Sequence, residues 1–194
     1  ALIHFLERNW GVYFSMGGTG KLVEELTKLL ERNGIKIKYN TDIRSVRFPG
    51  IISSNTLPGG GTTDYAVEIF YSFLKNEKYN CFLNKKSMLP MIYIDDAIES
   101  IYKLMLADKE NLSIKSSYNL ASFSLSPEII EKELKKIDNS FTVEYNPDFR
   151  QKIADSWPIS INDKYSRVDW NWEPQYDLNK TILTMIKNLK LKLK

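Results

Sequence analysis

The residues of this chain best suited to chemistry gather in Gly59-Gly60-Gly61-Thr62-Thr63-Asp64. Three glycines let a backbone come close to a ligand, and three polar side chains follow where a helix should begin. Such a loop could hold a small carboxylate; as a plain turn it would instead leave Thr63 and Asp64 to cap the helix. Trp157, in Asp155-Ser156-Trp157-Pro158, could close an apolar wall over a ligand or sit in the core. Two Tyr-x-x-x-Lys pairs occur, Tyr71/Lys75 and Tyr176/Lys180. A lysine one helical turn away lowers a tyrosine pKa from about 10 toward neutrality, which suits a general base. Both pairs lie on ordinary amphipathic patterns in a chain with 11 tyrosines, so both read as structural.

The other candidates carry less. Met16-Gly17-Gly18-Thr19-Gly20-Lys21 invites a phosphate-loop reading, but Ser15 and Leu22 stand where a Walker loop needs Gly and Ser or Thr. Val23 breaks a dinucleotide fingerprint started at Gly18, so a strand-loop-helix turn is expected there. His4 is the single histidine and Cys81 the single cysteine. They allow no histidine triad, zinc site or disulfide within the chain, and metal catalysis is not expected. Asp95-Asp96 precede an apolar helical pattern, as an N-cap and its dipole-stabilised neighbour would. Lys187, Lys190, Lys192 and Lys194 suit a helix C-terminus.

The elements that must position these groups read as an α/β fold. Leu22, Val23, Leu26, Leu29 and Leu30 predict a helix ending at Asn33-Gly34, after a strand at 10–14 and a loop at the glycine cluster. Ile35, Ile37 and Tyr39 alternate with Lys36 and Lys38 as in a half-buried strand. Strands are then predicted at 44–48, 79–83, 91–94, 118–120 and 141–145. Helices are predicted from Thr63-Asp64 to about Lys75, from Asp95-Asp96 with Ile98, Ile101, Tyr102 and Met105 as its apolar side, and from Ser126-Pro127-Glu128, with two short ones after Asp163 and Asp177. Strands separated by helices of this length favour parallel pairing. At 194 residues, 43% hydrophobic and 26% charged, the chain can bury one good core. A net charge of +3, from 27 basic and 24 acidic residues, is too balanced for a nucleic-acid footprint. No apolar run is long enough for a membrane span, and one cysteine suits a reducing compartment. A start at Ala1 leaves a removed targeting segment or a missing N-terminus open.

From about Ile43 onward the chain resembles the C-terminal half of short-chain-type L-threonine 3-dehydrogenases, relatives of the NAD-dependent epimerases and dehydratases. The resemblance runs through Arg44-Ser45-Val46-Arg47-Phe48-Pro49-Gly50-Ile51-Ile52-Ser53, Pro58-Gly59-Gly60-Gly61-Thr62-Thr63-Asp64-Tyr65-Ala66-Val67, Ser116-Ser117-Tyr118-Asn119-Leu120-Ala121 and the stretch Asn146-Pro147-Asp148-Phe149-Arg150 to Trp157-Pro158. It implies the second half of a Rossmann-type fold and NAD-dependent oxidation of the threonine 3-hydroxyl to 2-amino-3-oxobutanoate. It further implies cofactor contacts at Pro49, Gly50 and Ile51, and L-threonine contacts at Thr62, Thr63, Asp64 and Trp157. A cytoplasmic location, mitochondrial if eukaryotic, goes with it, and a homodimer stays open.

Residues 1–42 do not resemble the nucleotide-binding half that should precede Ile43. No tyrosine between Ala1 and Arg44 has a lysine four residues on, since Tyr13 is followed by Gly17 and Tyr39 by Ile43. Instead, Leu6-Glu7-Arg8, Trp10-Gly11-Val12-Tyr13-Phe14 and Gly17-Gly18-Thr19-Gly20 resemble an internal piece of FAD-dependent phytoene (carotenoid) desaturases, with Ser15 in place of that family's proline. The expectation is a junction of two partial enzymes, 1–42 and 43–194, with the dehydrogenase base absent and no turnover. The alternatives are a flavin-binding desaturase fragment or a non-catalytic interaction module.

Overall fold

The computed structural model describes residues 18–38, 41–114 and 116–193, in two compact units, Ala1–Asp42 and Ile43–Lys194. His4, the strand predicted at 10–14, and the parts of the phosphate-loop and desaturase-like readings that lie before Gly18 fall outside the described residues.

In the first unit the helix α1 spans Gly18–Arg32. It starts earlier than predicted, so Gly18 and Gly20 belong to its first turn rather than to a loop. Its end follows the expected glycine rule. Gly34 takes φ +76°, Ile35 N–H donates to Leu30 O at 3.0 Å, and Gly34 N–H donates to Glu31 O at 2.9 Å, which satisfies two terminal carbonyls. Lys21 and Lys28 bridge Glu24 and Glu25 along one exposed side. The residues 35–38 form no strand, against the alternation of their side chains. Among the described residues no neighbouring strand pairs with them, and an unpaired alternating segment has nothing to hold it as a sheet.

The second unit opens with two short strands around Pro49. β1 is Val46–Arg47 and β2 is Gly50–Ile52. The single strand predicted at 44–48 is shortened because Pro49 lacks an N–H for a ladder. The chain then re-pairs elsewhere: β1 runs parallel to β5 (Tyr118–Asn119), and β2 runs parallel to β4 (Leu89–Tyr93). β3 (Tyr79–Cys81) runs parallel to β7 (Val143–Tyr145). The strand β6 (Phe123–Leu125) lies antiparallel on the other side of β4, with Leu89 opposite Leu125. Parallel pairing thus holds for three ladders and fails at β6, because the short turn after β5 brings Ser122 N–H onto Met91 O at 3.1 Å and reverses the chain. All five residues of β4 are buried, as a central strand covered on both faces should be.

Helices α2 (Tyr65–Leu74), α3 (Ile94–Leu106), α4 (Pro127–Ile137), α5 (Arg150–Asp155), α6 (Lys164–Trp170) and α7 (Leu178–Lys192) complete the unit. β2, β6 and α5 have no counterpart in the sequence reading, and α7 is a full 15 residues rather than short. Pro127 opens α4 at its first turn, and the Asp177 carboxylate accepts from Lys180 N–H at 2.8 Å to cap α7. Near the other end of α7, Lys192 donates to Ser54 O at 2.7 Å and to Asn55 Oδ1 at 3.0 Å. One core joins Ile52, Tyr65, Phe70, Met91, Leu134, Met185 and Leu189 around β4. A second joins Ile92, Ala97, Leu104, Tyr118, Leu120, Trp170 and Trp172, with Val46 and Phe48 against it.

Helix α3 reverses an expectation. Its inward side is Asp96, Ala97, Ser100 and Leu104, whereas Ile98, Ile101, Tyr102 and Met105 point outward.

Candidate functional site

Pro49 ends the β1 segment, and β2 then lies against β4 with Gly50 opposite Met91. The approach there is too close for a side chain. A Cβ on Gly50 would stand 2.5 Å from the Met91 sulfur and 2.7 Å from Thr63 Cγ2. Gly50 therefore lets Thr63, just before α2, reach the end of β2. Around them opens a cleft of about 500 Å³ lined by Phe48, Pro49, Gly50, Ile51, Thr63, Pro90, Trp157, Pro158 and Ile161. Trp157 is placed by the turn that closes α5, where its N–H donates to Ala154 O at 3.1 Å, and it is 42% exposed. Among the described residues, no charged side chain lines this cleft.

Five of the seven residues singled out from sequence meet here: Pro49, Gly50, Ile51, Thr63 and Trp157. Thr62 is buried and not part of the lining. Asp64 lines a neighbouring cleft of about 560 Å³ with Ile51, Ser53, Asn55, Gly59 and Gly61. The two clefts share Ile51.

Asp64 does not cap α2 with its side chain. One carboxylate oxygen, Oδ2, accepts instead from the backbone N–H groups of Gly59, Gly60 and Gly61 at 2.7, 2.7 and 2.8 Å. Gly60 takes φ +91° in this wrap, a conformation that favours glycine. The triple-glycine loop thus closes on an acid of its own chain, which engages these three amides. Arg150 supports the same loop from α5. Its guanidinium stands 3.2 Å over the Phe82 ring, pairs with Asp148 at 2.6 Å and reaches Gly60 O at 3.5 Å. The paired guanidinium holds the Asp148 carboxyl below the usual range.

Arg150, Phe48, Pro90, Pro158 and Ile161 received no role from the sequence. Their side chains carry no reactive group, or a common one, and only the crossing of β2, β4 and the turn after α5 brings them to the loop and cleft.

The tyrosine–lysine pairs, read from sequence as structural, lie away from this cleft's lining. Lys180 Nζ stands 4.1 Å over the face of Tyr176 and donates to Gln175 O at 3.0 Å, while the Tyr176 hydroxyl donates to Asp95 at 2.8 Å. That acceptor pushes the Tyr176 hydroxyl up to about 12, away from what a base needs. Tyr71 packs against the main core. Asp95 and Asp96 occupy the first turn of α3 rather than its N-cap, which is Tyr93. Asp96 is buried and accepts from Gln175 N–H at 2.9 Å and Tyr176 N–H at 3.0 Å. Burial raises its carboxyl despite those donors. No group of three or more potential metal ligands occurs among the described residues. No helix among them is long and apolar enough to cross a membrane.

Comparison with known proteins gives this geometry its context. No family model matches the chain. An uncharacterized epimerase/dehydratase from Staphylococcus haemolyticus is 45% identical over 156 residues, which is 80% of this chain and 49% of that protein. The L-threonine dehydrogenase of Phytophthora infestans is 45% identical with a TM-score of 0.75, over 90% of this chain and 55% of that one. The L-threonine dehydrogenase of Clostridium difficile is 40% identical with a TM-score of 0.77, over 90% and 54%. The fold is the Rossmann-like α/β fold of the GalE-like L-threonine dehydrogenases. The chain spans about half the length of the relatives it matches.

Proposed function

We propose that residues 43–194 form the substrate side of an NAD-dependent oxidoreductase acting on L-threonine. The observation that carries this reading is the meeting of Pro49, Gly50, Ile51, Thr63 and Trp157 around one uncharged cleft. Similarity to solved L-threonine dehydrogenases supports it.

An apolar floor of Pro49, Gly50, Ile51 and Pro90 suits the flat face of a nicotinamide ring and keeps water from it. Among the described residues the lining offers no cation for a pyrophosphate, so these residues suit the nicotinamide end. When bound, the nicotinamide supplies a hydride acceptor. Thr63 contributes the side-chain hydroxyl of the lining, placed to hydrogen-bond a small polar substrate. Trp157 closes the opposite wall and orients the substrate by contact. The lining holds no acid or base to take the proton of the substrate hydroxyl as hydride leaves, so that group must come from outside the cleft described here.

The test is a fluorescence titration with L-threonine in the presence of NAD. A saturable change is expected in the chain and is lost in Trp157→Phe. No change, or the same change in both proteins, overturns the reading. The chain alone is expected to form no NADH from threonine.

A further inference from the structure

One wall of the uncharged cleft, Trp157, Pro158 and Ile161, belongs to the stretch between α5 and α6, whereas Pro90 of its floor belongs to β4. A wall without regular structure keeps a productive geometry only where its neighbours hold it. Two polar side chains tie this one to the floor. Before Trp157 the tie is Gln151, a buried side chain of α5. Its Oε1 accepts from Asn84 N–H at 2.7 Å and from the Ser87 hydroxyl at 3.1 Å, both in the loop that leads into β4. Its Nε2 donates to Asp155 Oδ1 at 2.6 Å, two residues ahead of Trp157. After Trp157 the tie is Ser124 of β6, whose hydroxyl donates to Ile159 O at 2.7 Å. Ser124 stands directly opposite Pro90 in the β4–β6 ladder, so this bond reaches the wall from the strand beside the floor.

Neither Gln151 nor Ser124 lines the cleft, so each can act on a ligand only through the wall. The ties differ in what else they carry. Gln151 also fastens α5 to the loop before β4, whereas Ser124 lies on the outer strand of the β2–β4–β6 sheet and gives one hydroxyl to one carbonyl. A single neutral hydrogen bond is a small share of a fold's stability, yet enough to decide between two poses of a half-exposed ring. We propose that Ser124 and Gln151 are positioning residues for Trp157, fixing its wall at one distance from Pro90 and so setting the width of the cleft that receives the amino-acid substrate. The identity of that substrate rests on the threonine reading; the placing of the wall rests on the hydrogen bonds alone.

Fluorine NMR tests the wall without any ligand. The four tryptophans of the full chain are labelled as 5-fluorotryptophan, and Trp157→Phe assigns the Trp157 line. Ser124→Ala is expected to shift or broaden that line while the melting temperature and the lines of Trp170 and Trp172, in the second core, stay in place. It should also weaken L-threonine binding in the presence of NAD about tenfold, the worth of one such bond. Ser124→Thr keeps the hydroxyl and is expected to restore both the line and the affinity. Gln151→Met keeps the length of the side chain, loses its polar end and should move the same line. An unmoved Trp157 line in either Ser124→Ala or Gln151→Met overturns the role of that residue. A shift that Ser124→Thr leaves uncorrected, or that spreads to Trp170 and Trp172, overturns positioning in favour of general loosening. An unsubstituted chain that binds no threonine overturns the substrate reading, and the fluorine lines then decide the positioning role by themselves. Equal threonine affinity of the unsubstituted chain and Ser124→Ala overturns the positioning role alone.

Discussion

Asp64 shows how a residue recognised from its type can hold a different post from the one its type suggests. Its neighbours announce a helix start, and an aspartate there is most often a cap. The glycine run changes the balance, because three flexible residues can fold their N–H groups onto one oxygen. Asp64→Ala leaves those amides to water and is expected to cost about 1–2 kcal/mol, with Asp64→Asn losing less because it keeps an acceptor. Urea denaturation measures the loss, and proteolysis within 57–61 should quicken in the same order. Equal stability of all three proteins would remove the clamp from the account. Trp157, Thr63 and Pro49 to Ile51 were legible as a set from the resemblance. What stayed hidden was that Gly50 matters as a missing side chain, since the clash it avoids involves Met91 and Thr63, distant in sequence.

Elements were legible where a period ran long enough. The stripes of α1 and α3, the proline-led start of α4 and the strand predicted at 91–94 all mark real elements, whereas β2, β6 and α5 are too short for a period to form. Orientation was less legible than existence. The pattern of α3 places its apolar stripe inward; the fold buries Ala97, Ser100 and Leu104 instead, because small residues let the helix sit close on the second core. The same helix has an arginine at its C-terminal end that no capping rule foresaw. Arg44 gives its guanidinium to the carbonyls of Leu104, Met105 and Ala107, supplying the positive charge that this end favours. Arg44→Met keeps most of the stem and removes the donors, and is expected to destabilise the chain by about 1–3 kcal/mol in urea denaturation. An unchanged midpoint would mean that water caps the helix as well.

At the scale of the molecule, the buried thiol of Cys81 offers a probe of cooperative opening. It is fully buried, and burial pushes it up to about 11. A disulfide reagent attacks the thiolate, so the folded chain is expected to react negligibly near pH 8 and completely after denaturation. Its rate in rising urea should follow the loss of circular dichroism. Fast reaction in buffer would show that the β3–β7 ladder opens locally.

That ladder and the β1–β5 ladder have a further consequence for how the chain reaches its fold. They bring together Asn80 with Asn146 and Arg47 with Asn119, partners 66 and 72 residues apart. Neither ladder can form until a long stretch of intervening chain has closed into a ring, and the lost freedom must be met before the paired strands return anything. Local helices are expected to precede ring closure, which stopped-flow circular dichroism would show as a fast phase followed by a slow one. The faces that lie exposed until the rings close are therefore the ones the ladders cover, Tyr79, Cys81 and Tyr118, whereas the stripe of α3 is exposed before and after folding alike.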